Sequence, residues 1–189
     1  MNLVTLAEYK AYVGITTNNQ DAAIENVIPG VSALVKSICR RSLVDYVDDA
    51  KVEVHSGGYG HAIFLKEYPV LAVSGVELST DYGANYTDLI EFEDYVLDQE
   101  CGTLTSLKPG GFPKRLNGYK VTYTAGYETL PGDLKLAVMD TISYYLKNDA
   151  VSHASKGSNS GTLQVEYITN INLPAHIMRV LNLYVGSVD

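Results

Sequence analysis

Four histidines, two cysteines and an uneven set of carboxylates carry whatever chemistry this 189-residue chain could perform. His55 and His61 flank the run Ser56-Gly57-Gly58-Tyr59-Gly60 and would face each other across a hairpin. Two imidazoles alone make a weak metal site, because a stable one takes three or four ligands. His153 falls in a polar stretch and His176 near the end of the chain, with no His-x-x-x-His and no Cys-x-x-Cys anywhere. The tight glycine cluster at 57–60 lacks the Lys-Ser/Thr of a phosphate loop and leads into a strand, so it reads as a turn. No Gly-x-Ser-x-Gly elbow is present. Cys39 follows Ile38 on an apolar stripe and reads as a small core residue, while Cys101 before Gly102 reads as a turn position. Glu91, Glu93, Asp94 and Asp98 could pair as general acid and base. Exposed carboxylates on an acid-rich surface are the commoner arrangement. The expected catalytic, cofactor and metal residues are therefore none, and an enzyme is the minority reading.

Composition narrows the classes further. Lys+Arg number 14 against Asp+Glu 22, for a net charge of -8. General nucleic-acid binding draws on clustered cations, and an acidic chain is poorly suited to it. Hydrophobic residues make up 46%, enough for a sizeable core. Two cysteines cannot build a disulfide framework, which fits synthesis in a reducing cytoplasm. Met1-Asn2-Leu3-Val4 does not read as a signal peptide, and no apolar run approaches the ~18–20 residues of a membrane helix. The chain has 15 Tyr, 3 Phe and no Trp. Tyrosine suits both strands and wet interfaces between subunits.

Charge is segregated along the chain. Between Lys66 and Lys108 there is no Lys or Arg, but nine acids occur there, including Glu77, Asp81, Asp88, Glu91, Glu93, Asp94 and Asp98. Between Glu100 and Glu128 there is no acid, but Lys108, Lys114, Arg115 and Lys120 occur. Such one-signed stretches are either plain solvated surface or the two halves of an electrostatic contact.

The elements that must position these groups follow from periodicity and punctuation. Thr5-x-x-Glu8 is a capping box and Gly14 a left-handed stop, which predicts a helix over 5–13. Ile24, Val27, Ile28, Val31, Leu34, Val35 and Ile38 form one stripe and predict a helix over 20–40, kinked at Pro29-Gly30. From 51 to 127 the period becomes two. Strands are expected at 51–55 and 62–65, paired as a hairpin, and at 73–78, 95–97, 102–106 and 119–125. Pro131 opens a helix over 131–148. Residues 151–161 read as a mobile polar loop, 162–168 as a weak strand, and 174–185 as a C-terminal helix. The expected fold is α+β: a single domain over 1–189, in which a bundle of three to four helices carries an antiparallel β lobe inserted at 50–127.

Taken in order, these blocks resemble a known family. Leu3-Val-Thr-Leu-Ala-Glu-x-Lys10, Val13-Gly-Ile15, Asp21-x-x-Ile24 and Cys39-Arg-Arg-x-Leu43 resemble the start of the head-tail connector (adaptor) proteins of tailed bacteriophages. Leu65-x-x-Tyr-Pro-Val70 and Val73-x-x-Val76 are similar to the centre of that family. The best match is Val121-Thr-Tyr-Thr-Ala-Gly-Tyr127 followed by Leu130-Pro131 and Asp133-Leu134-Lys135-x-Ala137, and Leu173-Pro174 with Leu181-x-x-Tyr184 fits its last helix. The acidic 77–100 stretch looks longer than the simplest members need.

The resemblance implies a structural virion protein with no cofactor. Such a protein is made in the host cytoplasm and placed at the capsid vertex. It would form a ring, typically of twelve copies, beneath the portal protein, extend the channel through which DNA passes without specific binding, and meet a downstream neck or tail protein. No membrane is implied. The expected contact between copies sets Glu91, Glu93 and Asp94 against Lys108, Lys114 and Arg115 of a neighbour. The expected portal-docking stripe is Ile177, Leu181, Tyr184 and Val185 on the C-terminal helix. The alternatives are a tail-completion or stopper-type joining protein, and a carbohydrate-binding module or hydrolase built on the β lobe.

Overall fold

The computed structural model describes residues 1–58, 60–147 and 173–186. The loop expected at 151–161 and the strand expected at 162–168 lie outside the described residues. The chain is α+β and its described residues divide into two compact units, a helical one drawn from Asn2–Cys39 and Pro131–Val185, and a β unit formed by Arg40–Leu130 with Met1 and Gly186.

In the helical unit, α1 (Leu6–Val13) begins at Thr5, whose hydroxyl accepts from the Glu8 N–H while the Glu8 carboxylate accepts from the Thr5 N–H at 2.8 Å. Gly14 ends it with φ +78. The helix α2 (Asp21–Cys39) runs continuously through Pro29, and the Pro29-Gly30 pair lies on its exposed side. Ile24, Ile28, Val31, Val35 and Cys39 are its buried face. This helix is long and apolar enough to cross a membrane, although the sequence has no unbroken apolar run of that length. A core helix with one strongly apolar side has the same property, and α2 packs here against α1 and against α3 (Gly132–Leu146). The last helix, α4 (Ala175–Leu181), is shorter than its pattern suggests and tightens into a 3-10 turn at Asn182–Tyr184.

In the β unit one sheet has the strand order β1 (Tyr46–His55), β7 (Tyr119–Ala125), β3 (Val70–Leu78), β4 (Thr87–Asp88), all antiparallel. A second sheet has the order β2 (Ala62–Phe64), β6 (Thr103–Ser106), β5 (Tyr95–Asp98). One core cluster draws on both sheets, with Ile63, Leu65, Val76, Leu104, Val121 and Tyr123 among its members. Strand β7 alternates buried and half-buried residues along its length, as a central strand must when only one face is covered.

The hairpin expected around 56–60 does not form. β1 pairs with β7 and β2 with β6, so the glycine run is a crossing between sheets. Gly57 serves a close approach there. A Cβ on Gly57, at φ +67, would lie 2.5 Å from the Pro113 carbonyl oxygen. The Gly58 N–H donates to the Phe112 carbonyl, and the Phe112 N–H donates to that of Gly60. β1 also starts earlier than its pattern suggests, with a register shift between Tyr46 and Lys51, and the short β4 carries too little pattern to be read from sequence.

Candidate functional site

Strand β1 places Lys51, Glu53 and His55 on one side and Val52 and Val54 on the other. The charged side is the one turned inward: Glu53 is buried, whereas Val52 is 57% exposed. The Lys51 ammonium lies 2.9 Å from Glu53 and 3.3 Å from the buried Glu67. The Tyr123 hydroxyl donates to Glu53 at 2.7 Å, and His55 Nε2 lies 3.2 Å from the same carboxylate. The Ser42 N–H reaches both Glu67 oxygens at 3.0 Å. Burial alone would raise the Glu53 carboxyl, but hydrogen bonds from His55, Tyr123 and Lys51, with the Lys51 charge, outweigh it and lower its pKa to about 2. Burial and the Glu53 carboxylate push the Tyr123 hydroxyl up. Every carboxylate oxygen here is spoken for, so the cluster is a structural ion network. The shallow cavity beside it, about 320 Å³ and lined by Lys51, Glu53, His55 and Lys66, is mostly polar.

His55 and His61 are not brought together. His55 belongs to the Glu53 network, and His61 is exposed on the crossing between sheets. Among the described residues no group of three His, Cys, Asp or Glu could hold a metal ion. Cys39 is buried and its thiol donates to the Leu181 carbonyl at 3.7 Å, while Cys101 is exposed beside Gly102, which has φ +63.

The charged residues read as inter-subunit contacts sort into two classes. Asp94 and Lys108 pair with each other within the chain, at 3.1 Å. Asp94 also closes the 90–94 turn, accepting from the Ile90 N–H at 2.8 Å, and this bond with the Lys108 charge holds its carboxyl below the usual range. Lys120 likewise pairs with Glu77 across β7 and β3, at 2.7 Å. Glu91, Glu93, Lys114 and Arg115 are exposed. Two apolar side chains that charge-based reading passes over stand beside them: Phe92 is 75% exposed and Leu116 is 61% exposed. Both sit inside charged runs, and a single exposed hydrophobe in such a run carries no periodic signal.

The C-terminal stripe is used within the chain. Ile177 and Leu181 are buried in the helical unit, where α4 packs on α2 and α3. The Tyr184 hydroxyl donates to Asp133 at 2.6 Å. A helix this short cannot leave an apolar stripe in water, so the stripe goes to the nearest helices. Among the described large apolar residues of this segment, Leu183 is the exposed one, at 74%.

The sequence profile of the head completion protein family matches residues 2–185. The head completion protein of Escherichia phage T5 is 23% identical over 186 residues, covering 97% of this chain and 98% of that protein. A chain in the neck of an empty gene transfer agent (GTA) particle, computed with C6 symmetry, superposes with a TM-score of 0.60 at 18% identity, over 99% of this chain and 91% of that one. A chain in the neck of the native GTA particle, computed with C12 symmetry, gives 0.58 at 15% identity, over 100% and 96%. A chain from the native GTA virion gives 0.62 at 17% identity, over 99% and 91%. The structural likenesses show a shared fold, and the profile extends over nearly the whole chain: it belongs to the head completion protein family, structural proteins that join the phage head to its tail.

Proposed function

We propose that this protein works as a closed ring beneath the portal, lengthening the channel for DNA and offering its far side to the next neck or tail protein. The observation that carries the reading is the family match from residue 2 to residue 185. The GTA chains of similar fold come from necks computed with sixfold and twelvefold symmetry, which supports a ring of twelve copies. A net charge of -8 favours passage of DNA over its retention, since like charge repels the phosphate backbone.

Contacts between copies use surfaces of opposite sign, because a ring interface joins two different patches head to tail. Glu91 and Glu93 supply one and Lys114 and Arg115 the other, with Asp94 and Lys108 holding their loops in shape. Portal docking falls to the C-terminal segment, with Ile177 and Leu181 fixing α4, and Tyr184, Val185 and above all Leu183 closest to the partner. Electron microscopy of portal-bearing heads incubated with the purified chain tests the reading, and a ring added below the portal is expected. Heads that gain no density would refute it. Leu183→Asp should fold normally and lower occupancy of the heads by roughly tenfold, the cost of a lost apolar anchor.

A further inference from the structure

The 90–94 turn holds a large apolar side chain out in water: Phe92 is 75% exposed. Phe92 has φ +65, in the left-handed region where bulky residues are rare and Gly or Asn is usual. The turn around it is tightly built. The Phe92 N–H donates to the Tyr95 carbonyl at 2.8 Å, the Asp94 N–H to the Ile90 carbonyl at 2.8 Å, and the Ile90 N–H to the Asp94 carboxylate at 2.8 Å. The Leu107 N–H donates to the Asp94 carbonyl, which brings a further exposed apolar residue alongside. Ile90 is exposed as well. A rigid tip thus presents three apolar side chains to water, one of them at a conformational cost. Strain kept on an exposed side chain points to work done outside the chain.

The flanking acids Glu91 and Glu93 say what kind of surface receives it. The chain itself supplies a complement. In the loop 113–117, Lys114, Arg115 and Leu116 are all exposed. That loop is also held stiffly, with the Arg115 N–H donating to the Ser56 carbonyl at 2.6 Å and the Tyr86 hydroxyl to the Asn117 carbonyl at 3.1 Å. We propose that Phe92, with Ile90 and Leu107 beside it, is the apolar anchor between neighbouring copies, seated on the basic 113–117 loop and Leu116 of the next copy. The inference rests on the ring reading above and names the residue that carries the ring contact. Charge sets register and approach, and the aromatic anchor supplies most of the affinity, as at other interfaces where a buried aromatic is ringed by polar groups.

The test uses the full chain, by sedimentation velocity over a concentration range at low salt and on portal-bearing heads by electron microscopy. Phe92→Asn keeps a residue that tolerates positive φ, so its melting temperature should equal or exceed that of the wild type. Self-association should weaken on the order of tenfold to thirtyfold. Glu91→Lys with Glu93→Lys should weaken it too, and adding Lys114→Glu with Arg115→Glu should restore most of the loss. Association of Phe92→Asn equal to wild type would overturn the proposal, as would a fall in melting temperature matching the loss of assembly, or no recovery in the double swap. Intact rings that fail only to bind a downstream protein would give Phe92 a different occupant and also overturn it. Wild-type rings unaffected by Phe92→Asn sink the anchor alone, whereas a wild type that forms no ring on heads removes the ring reading itself.

Discussion

Glu53 shows how one residue ties pH to stability. Its folded pKa of about 2 lies below the ordinary 4.5. A lowered carboxyl stabilises the fold fully above the unfolded value and loses that contribution as pH falls towards the folded one. The melting temperature should therefore drop between about pH 4.5 and pH 2, with several other lowered carboxylates, Glu8 and Asp133 among them, adding to the slope. Glu53→Gln keeps the shape but leaves the Lys51 ammonium with Glu67 as its remaining carboxylate partner. The variant should be about 3 kcal/mol less stable at pH 7, the low end of the range for breaking a buried pair, because Lys51 keeps Glu67. Its acid limb should also be shallower than that of the wild type. An unchanged limb in thermal melts from pH 7 to pH 2 would show that Glu53 is not the group responsible.

At the scale of elements, α4 decides whether the C-terminal segment is core or tether. Ile177 and Leu181 are 1% and 0% exposed, and the Cys39 thiol reaches the Leu181 carbonyl. Truncation after Leu173 removes both residues. Each large-to-nothing loss in a core costs about 2–5 kcal/mol, and together they approach the whole stability of a domain. The truncated chain should lose helical circular dichroism or melt far below the full chain. A well-folded truncation would mean that α4 is an appendage, and Leu183 would then be only part of a larger docking surface.

At the scale of the whole molecule, assembly should respond to salt. If Lys114 and Arg115 meet Glu91 and Glu93 of a neighbour at an exposed rim, raising ionic strength from 0.05 M to 0.5 M shortens the Debye length from about 14 Å to about 4 Å and weakens the contact. Lys114→Glu with Arg115→Glu should reduce ring formation at low salt and erase the salt dependence. Rings unchanged at low salt would count against an electrostatic contact. Asp94 and Lys108 should matter differently. Their pair is internal, so Lys108→Ala loosens the 90–94 turn without removing a partner for the neighbouring copy.

Local signals carried much of the architecture. The Thr5/Glu8 capping box, the Gly14 stop, the α2 stripe, Pro131 before α3 and the alternation of β7 all act within a few residues, so each is legible without knowing what surrounds it. The order of those blocks also carried the family resemblance. Strand partners were not legible, because pairing is a choice among distant segments. The run at 57–60 looks like a hairpin turn, yet the contest for β1 goes to β7, 64 residues on from His55 to Tyr119. Alternation alone would turn Val52 and Val54 inward. The fold turns Lys51 and Glu53 inward instead, because Tyr123 donates to Glu53 there and Glu67, itself held by the Ser42 N–H, meets Lys51. The same limit applies to the candidate surfaces. Composition marks Glu91, Glu93, Lys114 and Arg115 as charged, but only the folded backbone pairs Asp94 with Lys108, buries Ile177 and Leu181, and holds Phe92 outward at positive φ. Side-chain types are written in the chain, whereas exposure and partnership depend on which distant segments the packing of the core brings together.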